Sequence, residues 1–140
     1  MMKKVLLFVL LLSGVAFAQE IHWAKDFQSG IKEAVKQHKP ILFVFSRHSC
    51  KYCVLLEKTT FQDKKVIKAL NRDFISIISY TDDGDYVPRE LWRPGTPTLW
   101  FLKENGEPMF QPIVGALPAQ DFLQALAIVK TEFDKQKKGN

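Results

Sequence analysis

Cys50 and Cys53 are the residues whose type and spacing most clearly suggest chemistry, and the 140-residue chain has no other cysteine. A disulfide across two intervening residues closes a very small loop and removes little entropy from the unfolded chain, so stability explains the pair poorly. Reactivity explains it better, because closely spaced cysteines can have strongly lowered pKa values. We predict that Cys50 is a nucleophile and that Cys53 attacks the mixed disulfide that Cys50 forms.

A metal site is the main chemical alternative for this pair. One Cys-x-x-Cys pair supplies two thiolates, whereas a structural zinc ion takes four ligands, and the three histidines form no second close pair. Covalent haem attachment needs a histidine directly after the second cysteine, and Val54 occupies that position. We therefore expect neither a metal nor another cofactor.

The elements that must position the cysteines follow from hydrophobic periodicity. Residues 41–45 are a continuous apolar run, which is typical of a strand buried on both faces. The residues after Cys50 have helical spacing, with Cys53 and Leu56 on the inner face. Cys50 should therefore lie at a helix N-terminus, where free N–H groups and the positive end of the helix dipole favour a thiolate.

The rest of the chain predicts an α/β fold. We expect helices over residues 23–38, 63–70 and 118–135, and strands over 74–80, 98–102 and 109–114, with a short helix left open within 87–93. Asn105-Gly106 favours a tight hairpin turn, and Pro108 and Pro112 place the returning strand at a sheet edge. Helices alternating with strands predict a central mixed sheet with helices on both faces.

Residues 1–18 have the pattern of a cleavable secretory signal peptide. Lys3 and Lys4 precede an apolar run, and the stretch ends in Ala16-Phe17-Ala18. An uncleaved anchor is the less favoured alternative, because the apolar run is short for a membrane span. We predict cleavage after Ala18, a periplasmic location and one domain over residues 19–140. The formal charge of the whole chain is only +5 and its basic residues are scattered, so we expect no nucleic-acid partner.

The chain resembles the thioredoxin family, and the matching features cover nearly all of residues 19–140. An apolar strand precedes Cys50-Lys51-Tyr52-Cys53, Gly95-Thr96-Pro97-Thr98-Leu99 resembles the family's cis-proline loop, and Lys103-Glu104-Asn105-Gly106-Glu107 resembles its hairpin. The residues from Cys53 to Phe61 are similar to the C-terminal domain of DsbD-type thiol:disulfide interchange reductases and to small periplasmic thioredoxin-like proteins. The resemblance implies a thioredoxin fold in which Pro97 faces the cysteines and the Thr96 backbone pairs with an extended substrate.

Several residues near the cysteines are candidate tuning groups. A cation at Lys51 or His48 would lower the pKa of Cys50. The resemblance places Glu57 near the site, where it would handle a proton in the resolving step. Tyr52 is a fourth candidate, and together with Phe45 and Pro94 it would add an apolar surface. For Lys51 and Glu57 a solvated surface side chain is an equally good interpretation.

Three departures from the family pattern are visible. Ser49 stands in place of a tryptophan, Lys51-Tyr52 replaces the usual Gly-Pro dipeptide, and Val44 stands in place of a buried aspartate. The loss of that aspartate removes the usual proton acceptor for Cys53.

The function implied is dithiol–disulfide exchange on exported proteins, in the reducing direction, with a membrane thiol reductase as electron donor. A disulfide oxidase or isomerase with the same site is one alternative, and a non-catalytic binding or chaperone module with inert cysteines is another. Since the chain has one domain and no coiled-coil pattern, we expect a monomer.

Overall fold

The computed structural model describes residues 19–139 of the chain. The predicted signal peptide over residues 1–18 lies outside them and stays a prediction. Within the described residues, no helix combines the length and the hydrophobicity that a membrane span requires. The helices are α1 (Phe27–Gln37), α2 (Lys51–Lys58), α3 (Lys64–Asp73) and α4 (Ala119–Lys138), and the strands are β1 (Ile41–Ser46), β2 (Ile75–Tyr80), β3 (Thr98–Leu102) and β4 (Ile113–Val114).

The four strands form one mixed sheet in the order β2-β1-β3-β4. β1 pairs in parallel with β2 and antiparallel with β3, and β3 pairs antiparallel with β4. Every residue of β1 is buried, as its apolar run predicts. This central strand ends at Ser46, four residues before Cys50, so the reactive pair is placed by the best-buried element of the fold.

Side chains of β1 alternate between two apolar clusters on opposite faces of the sheet. Leu42 and Val44 pack on one face with Leu56 of α2 and with apolar residues of α3 and α4. Phe43 and Phe45 pack on the other face with Ala34 of α1. The prediction of a mixed sheet with helices on both faces is confirmed, and the architecture is the thioredoxin fold.

The first helix is shorter than predicted. It begins at Phe27 rather than at residue 23, because Asp26 caps it by accepting a hydrogen bond from the Ser29 N–H at 2.7 Å. Trp23 instead forms a β-bridge with Ser76. Val35, whose helical spacing from Ile31 fits the inner face, is half-exposed. Trp23 thus has the spacing of an inner-face helical residue, but it precedes the capping Asp26 and is not part of the helix.

The returning strand is also shorter than predicted. The hairpin turn forms as expected, and the Lys103 N–H donates to the Glu107 carbonyl at 2.7 Å. Only Ile113 and Val114 then pair as strand β4, because Pro108 and Pro112 supply no N–H for a ladder. β4 lies at the sheet edge, as predicted. The segment in which a short helix was left open contains a 3-10 turn over Arg89–Leu91.

Candidate active site

Cys50 is the N-cap of α2, as the sequence predicts. Its backbone is extended, and its sulfur accepts a hydrogen bond from the Cys53 N–H at 3.2 Å. The first N–H groups of a helix have no partner within the helix, so an acceptor at the N-cap satisfies one of them. Here that acceptor is the sulfur itself, and any negative charge on Cys50 is stabilised by the same contact that begins the helix.

The pKa values of the two cysteines move in opposite directions. Burial raises the pKa of Cys50, but hydrogen bonds from the Cys53 and Thr96 side chains and from the N–H groups of Cys53 and Tyr52 outweigh it, so the pKa of Cys50 lies below its usual value. Burial raises the pKa of Cys53, and the hydrogen bond to Cys50 raises it further. The lowered pKa makes Cys50 the more readily ionised thiol of the pair, and the raised pKa makes Cys53 the more firmly protonated one.

Exposure separates the two sulfurs in the same way. Cys50 is partly exposed, whereas Cys53 is buried against the sheet. An incoming disulfide can therefore contact Cys50 but has no access to Cys53. This is the arrangement that a nucleophile and a resolving thiol need.

The Thr96–Pro97 segment lies directly beside Cys50. The peptide bond between these two residues is cis, and the Cys50 thiol donates to the Thr96 carbonyl at 3.4 Å. The Pro97 carbonyl accepts the Gly115 N–H at 2.9 Å, which joins this segment to the residue after β4. The structure thus brings together four predicted site residues, Cys50, Cys53, Thr96 and Pro97.

Three residues at the end of β2 and just beyond it hold the loop that leads into Cys50. Asp82 accepts hydrogen bonds from the His48 N–H at 2.8 Å and the Ser49 N–H at 3.3 Å. The His48 ring stacks on Tyr80, with ring centroids 4.0 Å apart, and its Nε2 lies 2.8 Å from an Asp83 oxygen. Tyr80, Asp82 and Asp83, which we call the loop clamp, therefore fix the backbone just before the nucleophile.

The loop clamp also reaches α2. The Tyr80 hydroxyl donates a hydrogen bond to Glu57, which lies one turn beyond Cys53. Burial raises the pKa of Tyr80 and the bond to the Glu57 carboxylate raises it further, so this phenol stays protonated. The predicted proton-handling role of Glu57 stays a prediction, and the structure shows that one of its oxygens is engaged by Tyr80.

The sequence did not single out the loop clamp, although a signal for it was present. Tyr80, Asp82 and Asp83 were predicted only as a strand end and a turn. Because β1 and β2 are parallel, their carboxyl ends meet at the same sheet edge. Acidic residues directly after one strand were therefore placed to accept N–H groups directly after the other.

The remaining predicted residues lie on the surface, with one exception. Lys51 and Tyr52 are exposed on the first turn of α2, and Pro94 is exposed in the loop before Thr96. Phe45 is only 1% exposed and packs in the core, so its predicted place in an apolar surface at the site is wrong. Strand alternation points this side chain toward α1. Leu55 and Val114 are exposed apolar residues near the site that the prediction missed.

Potential metal-ligating atoms come together once within residues 19–139. One nitrogen of His48 and one oxygen each of Asp82 and Asp83 lie within 4.8 Å of one another, and all three residues are exposed. All three residues already have partners. Asp82 accepts two backbone N–H groups, and the His48 ring nitrogen lies 2.8 Å from an Asp83 oxygen. These contacts account for the cluster without an ion.

Comparison with known proteins agrees with this geometry. A family model described as "Thioredoxin-like domain" matches residues 27–130. The chain belongs to the thioredoxin-like family. The solution structure of a thioredoxin from Thermus thermophilus aligns with a TM-score of 0.66 and 24% identity over 79% of this chain and 87% of that one. The C-terminal domain of Neisseria meningitidis DsbD in its reduced form aligns with a TM-score of 0.58 and 20% identity over 71% and 90% of the two chains.

Sequence relatives of this thioredoxin-like chain include the anterior gradient proteins. Anterior gradient protein 2 of Xenopus laevis is 27% identical over 84 residues, which is 54% of this chain and 45% of that protein. The chain thus spans about half the length of the curated relatives it matches. Its fold is that of thiol–disulfide oxidoreductases, and the resemblance to the DsbD domain noted from the sequence is confirmed at the level of fold.

Proposed function

We propose that this protein exchanges thiols and disulfides on exported proteins, in the reducing direction, through Cys50 and Cys53. The observation that carries the proposal is the sulfur of Cys50, which is partly exposed and caps α2 by accepting the Cys53 N–H at 3.2 Å. Hydrogen bonds from the Cys53 side chain, the Thr96 side chain and the Cys53 N–H lower the pKa of Cys50, which favours a thiolate where a substrate can reach it.

The reaction proceeds in two balanced steps. The Cys50 thiolate attacks one sulfur of a substrate disulfide, which releases the other substrate sulfur as a thiolate and leaves a mixed disulfide. Cys53 then loses its proton and attacks the Cys50 sulfur, so the second substrate sulfur leaves and a Cys50–Cys53 disulfide forms. The protein has now given two electrons to the substrate. A thiol donor, which we propose to be a membrane thiol reductase, must reduce the new disulfide.

Substrate would approach across the Thr96 side of the site. The Thr96 carbonyl is 3.4 Å from the Cys50 sulfur, so an extended peptide beside this segment would have its disulfide next to the nucleophile. Tyr52, Leu55 and Val114 offer exposed apolar area around that approach, and Tyr52 is 57% exposed. A mainly apolar surface accepts many sequences, which suits a protein that acts on more than one exported substrate.

Trapping of mixed disulfides tests the activity. Cys53→Ala removes the resolving thiol, so this variant should accumulate covalent complexes through Cys50 when it is expressed with its leader and cells are quenched with acid. Cys50→Ala is the matched control and should trap none. No complexes from either variant would show that the pair is inert, as in a binding module, and equal yields from the two would contradict Cys50 as the nucleophile.

The direction of exchange is measured separately. Equilibration of the purified protein with reduced and oxidised glutathione gives the reduction potential of the Cys50–Cys53 pair. A reductase should have a potential near that of thioredoxin, about −270 mV, whereas an oxidase should lie near about −120 mV. A value at the oxidising end would replace the reducing direction with the oxidase alternative.

A further inference from the structure

Ser46 is the one polar side chain of β1, and its hydroxyl has no use in the fold. The residue is only 1% exposed, and its Oγ has no hydrogen-bond partner among the described residues. A buried hydroxyl without a partner costs free energy, because it has lost its bonds to water and gained none. Because this hydroxyl does not stabilise the fold, its presence calls for a functional explanation.

Strand alternation shows which way this hydroxyl points. Leu42 and Val44 lie on the face of the sheet that packs against Leu56 of α2, and Ser46 follows them with the same period of two. That face is the one against which Cys53 is buried, one turn before Leu56 on the same helix. Ser46 and Cys53 therefore face each other across the junction of β1 and α2.

Besides Ser46, the groups beside Cys53 that could stabilise an anion are the Thr96 side chain and the Arg47 N–H. Val44, where other members of the family have an aspartate, brings no polar atom. The other titratable groups of α2 beside Cys53 are Cys50, which is its reaction partner, and Glu57, which accepts the Tyr80 hydroxyl. Burial and the hydrogen bond to Cys50 raise the pKa of Cys53, whereas the nearby Ser46 hydroxyl, the Thr96 side chain and the Arg47 N–H lower it.

We propose that Ser46 stabilises the Cys53 thiolate in the resolving step by donating its unused hydroxyl hydrogen to that sulfur. The inference rests on the proposed exchange activity. In the mixed disulfide, Cys53 gives up its proton and attacks the Cys50 sulfur, the bond from Cys50 to the substrate sulfur breaks, and the departing substrate sulfur takes up a proton. Ser46 keeps its own proton throughout, so it stabilises the charge without acting as a base.

Ser76 provides a matched control. It lies on β2, paired with Leu42 at the other end of β1, and its hydroxyl is also buried, at 3% exposure of the residue, and also without a partner. Ser46→Ala and Ser76→Ala therefore remove the same group from the same kind of environment. They differ in that only Ser46 lies at the cysteine end of the sheet.

The first measurement is the titration of Cys53 alone. Three proteins are compared: Cys50→Ala alone, Cys50→Ala with Ser46→Ala, and Cys50→Ala with Ser76→Ala. For each of them, thiolate absorbance at 240 nm is followed against pH. Ser46→Ala should move the Cys53 titration to higher pH, and Ser76→Ala should leave it in place. Coincident curves for Ser46→Ala and its parent, or equal shifts from both serine variants, would overturn the proposal.

The second measurement is the resolving rate in the chain with both cysteines. A mixed disulfide between Cys50 and glutathione is formed, and release of glutathione is timed at neutral pH. Ser46→Ala should slow release about threefold, since a rise of about one unit in pKa lowers the thiolate fraction about tenfold while the more basic thiolate is about threefold more nucleophilic. Ser46→Thr, which keeps a hydroxyl, should recover most of the rate, and a Thr variant as slow as the Ala variant would argue for packing instead. Because the titration needs no turnover, failed trapping with a shifted Cys53 titration would remove the exchange activity and leave the Ser46 contact standing.

Discussion

At the scale of single residues, the site depends on where protons reside. Hydrogen bonds at the start of α2 lower the pKa of Cys50, whereas burial raises the pKa of Cys53. His48 adds a third titrating group two residues before the nucleophile. Its hydrogen bond to Asp83 raises the pKa of His48 above its usual 6.5, and the charges of Asp83, Asp82 and Glu57 act in the same direction.

His48→Ala tests whether the protonated form of His48 acts on the nucleophile. Because a nearby cation favours the thiolate, the variant should raise the pKa of Cys50 by less than about one unit, the limit expected for an exposed charge. Thiolate absorbance in a Cys53→Ala background measures it. An unchanged Cys50 titration would mean that His48 serves only the loop clamp.

The same residue predicts a pH dependence of stability. A histidine whose pKa is raised by folding stabilises the protein fully below its unfolded pKa, and this contribution is lost as the pH rises through the folded pKa. The difference in Tm between the wild type and His48→Ala should therefore be present below pH 6.5 and should shrink above it. Asp83→Asn is the control, because it removes the main cause of the raised pKa and should flatten the same dependence.

At the scale of elements, one contact region joins α2 to the ends of β1 and β2, and another brings α1 close to β2. The loop clamp joins the carboxyl ends of β1 and β2 to α2 through Asp82 and Tyr80. On the opposite face, α1 approaches β2 at Gly30. A Cβ built at Gly30 would lie 2.3 Å from the Cδ1 atom and 2.5 Å from the Cγ1 atom of Ile77, which is fully buried.

Gly30→Ala should therefore destabilise the protein, although alanine favours an isolated helix by about 1 kcal/mol over glycine. Overpacking a close helix–sheet contact typically costs about 1–3 kcal/mol. Urea unfolding measures the loss. Gln28→Ala, an exposed position in the same helix, is the control and should stay within about 0.5 kcal/mol of the wild type. A more stable Gly30→Ala protein would contradict the packing of α1 against β2.

At the scale of the whole molecule, α4 closes the apolar cluster that supports the cysteine helix. Phe122 is fully buried and packs against Phe61 and Phe101, which belong to the turn after α2 and to β3. The core on this face thus joins the first and last parts of the domain. Removal of its central ring should weaken the whole fold.

Phe122→Ala should cost about 3–5 kcal/mol of unfolding free energy, since it leaves a large cavity in a packed core. Ile128→Ala on the same helix is the control, because Ile128 is 61% exposed and should change stability by less than about 0.5 kcal/mol. Calorimetry or denaturant unfolding compares the two. Similar losses from both variants would place Ile128 in a contact that this fold does not show.

Most elements could be predicted because their signals are local. Ile41–Ser46 is buried on both faces as its composition indicates, and Asp63 caps α3 by accepting the N–H groups of Lys65 and Val66. The predictions failed where one local pattern is compatible with two conformations of the chain. The spacing of Trp23 and Val35 fits a helix, but Asp26 caps the chain later and Val35 turns to solvent.

The sequence by itself determined the fold class, the cysteine pair and its place at a helix start, because periodicity, spacing and capping act between residues close in the chain. Only the tertiary structure decided that Asp82 and Asp83 hold the loop at His48, that Tyr80 engages Glu57, and that Ser46 faces Cys53. Those contacts depend on which strands are parallel neighbours and which face each side chain takes. Both are consequences of packing the whole sheet, and no short segment contains them.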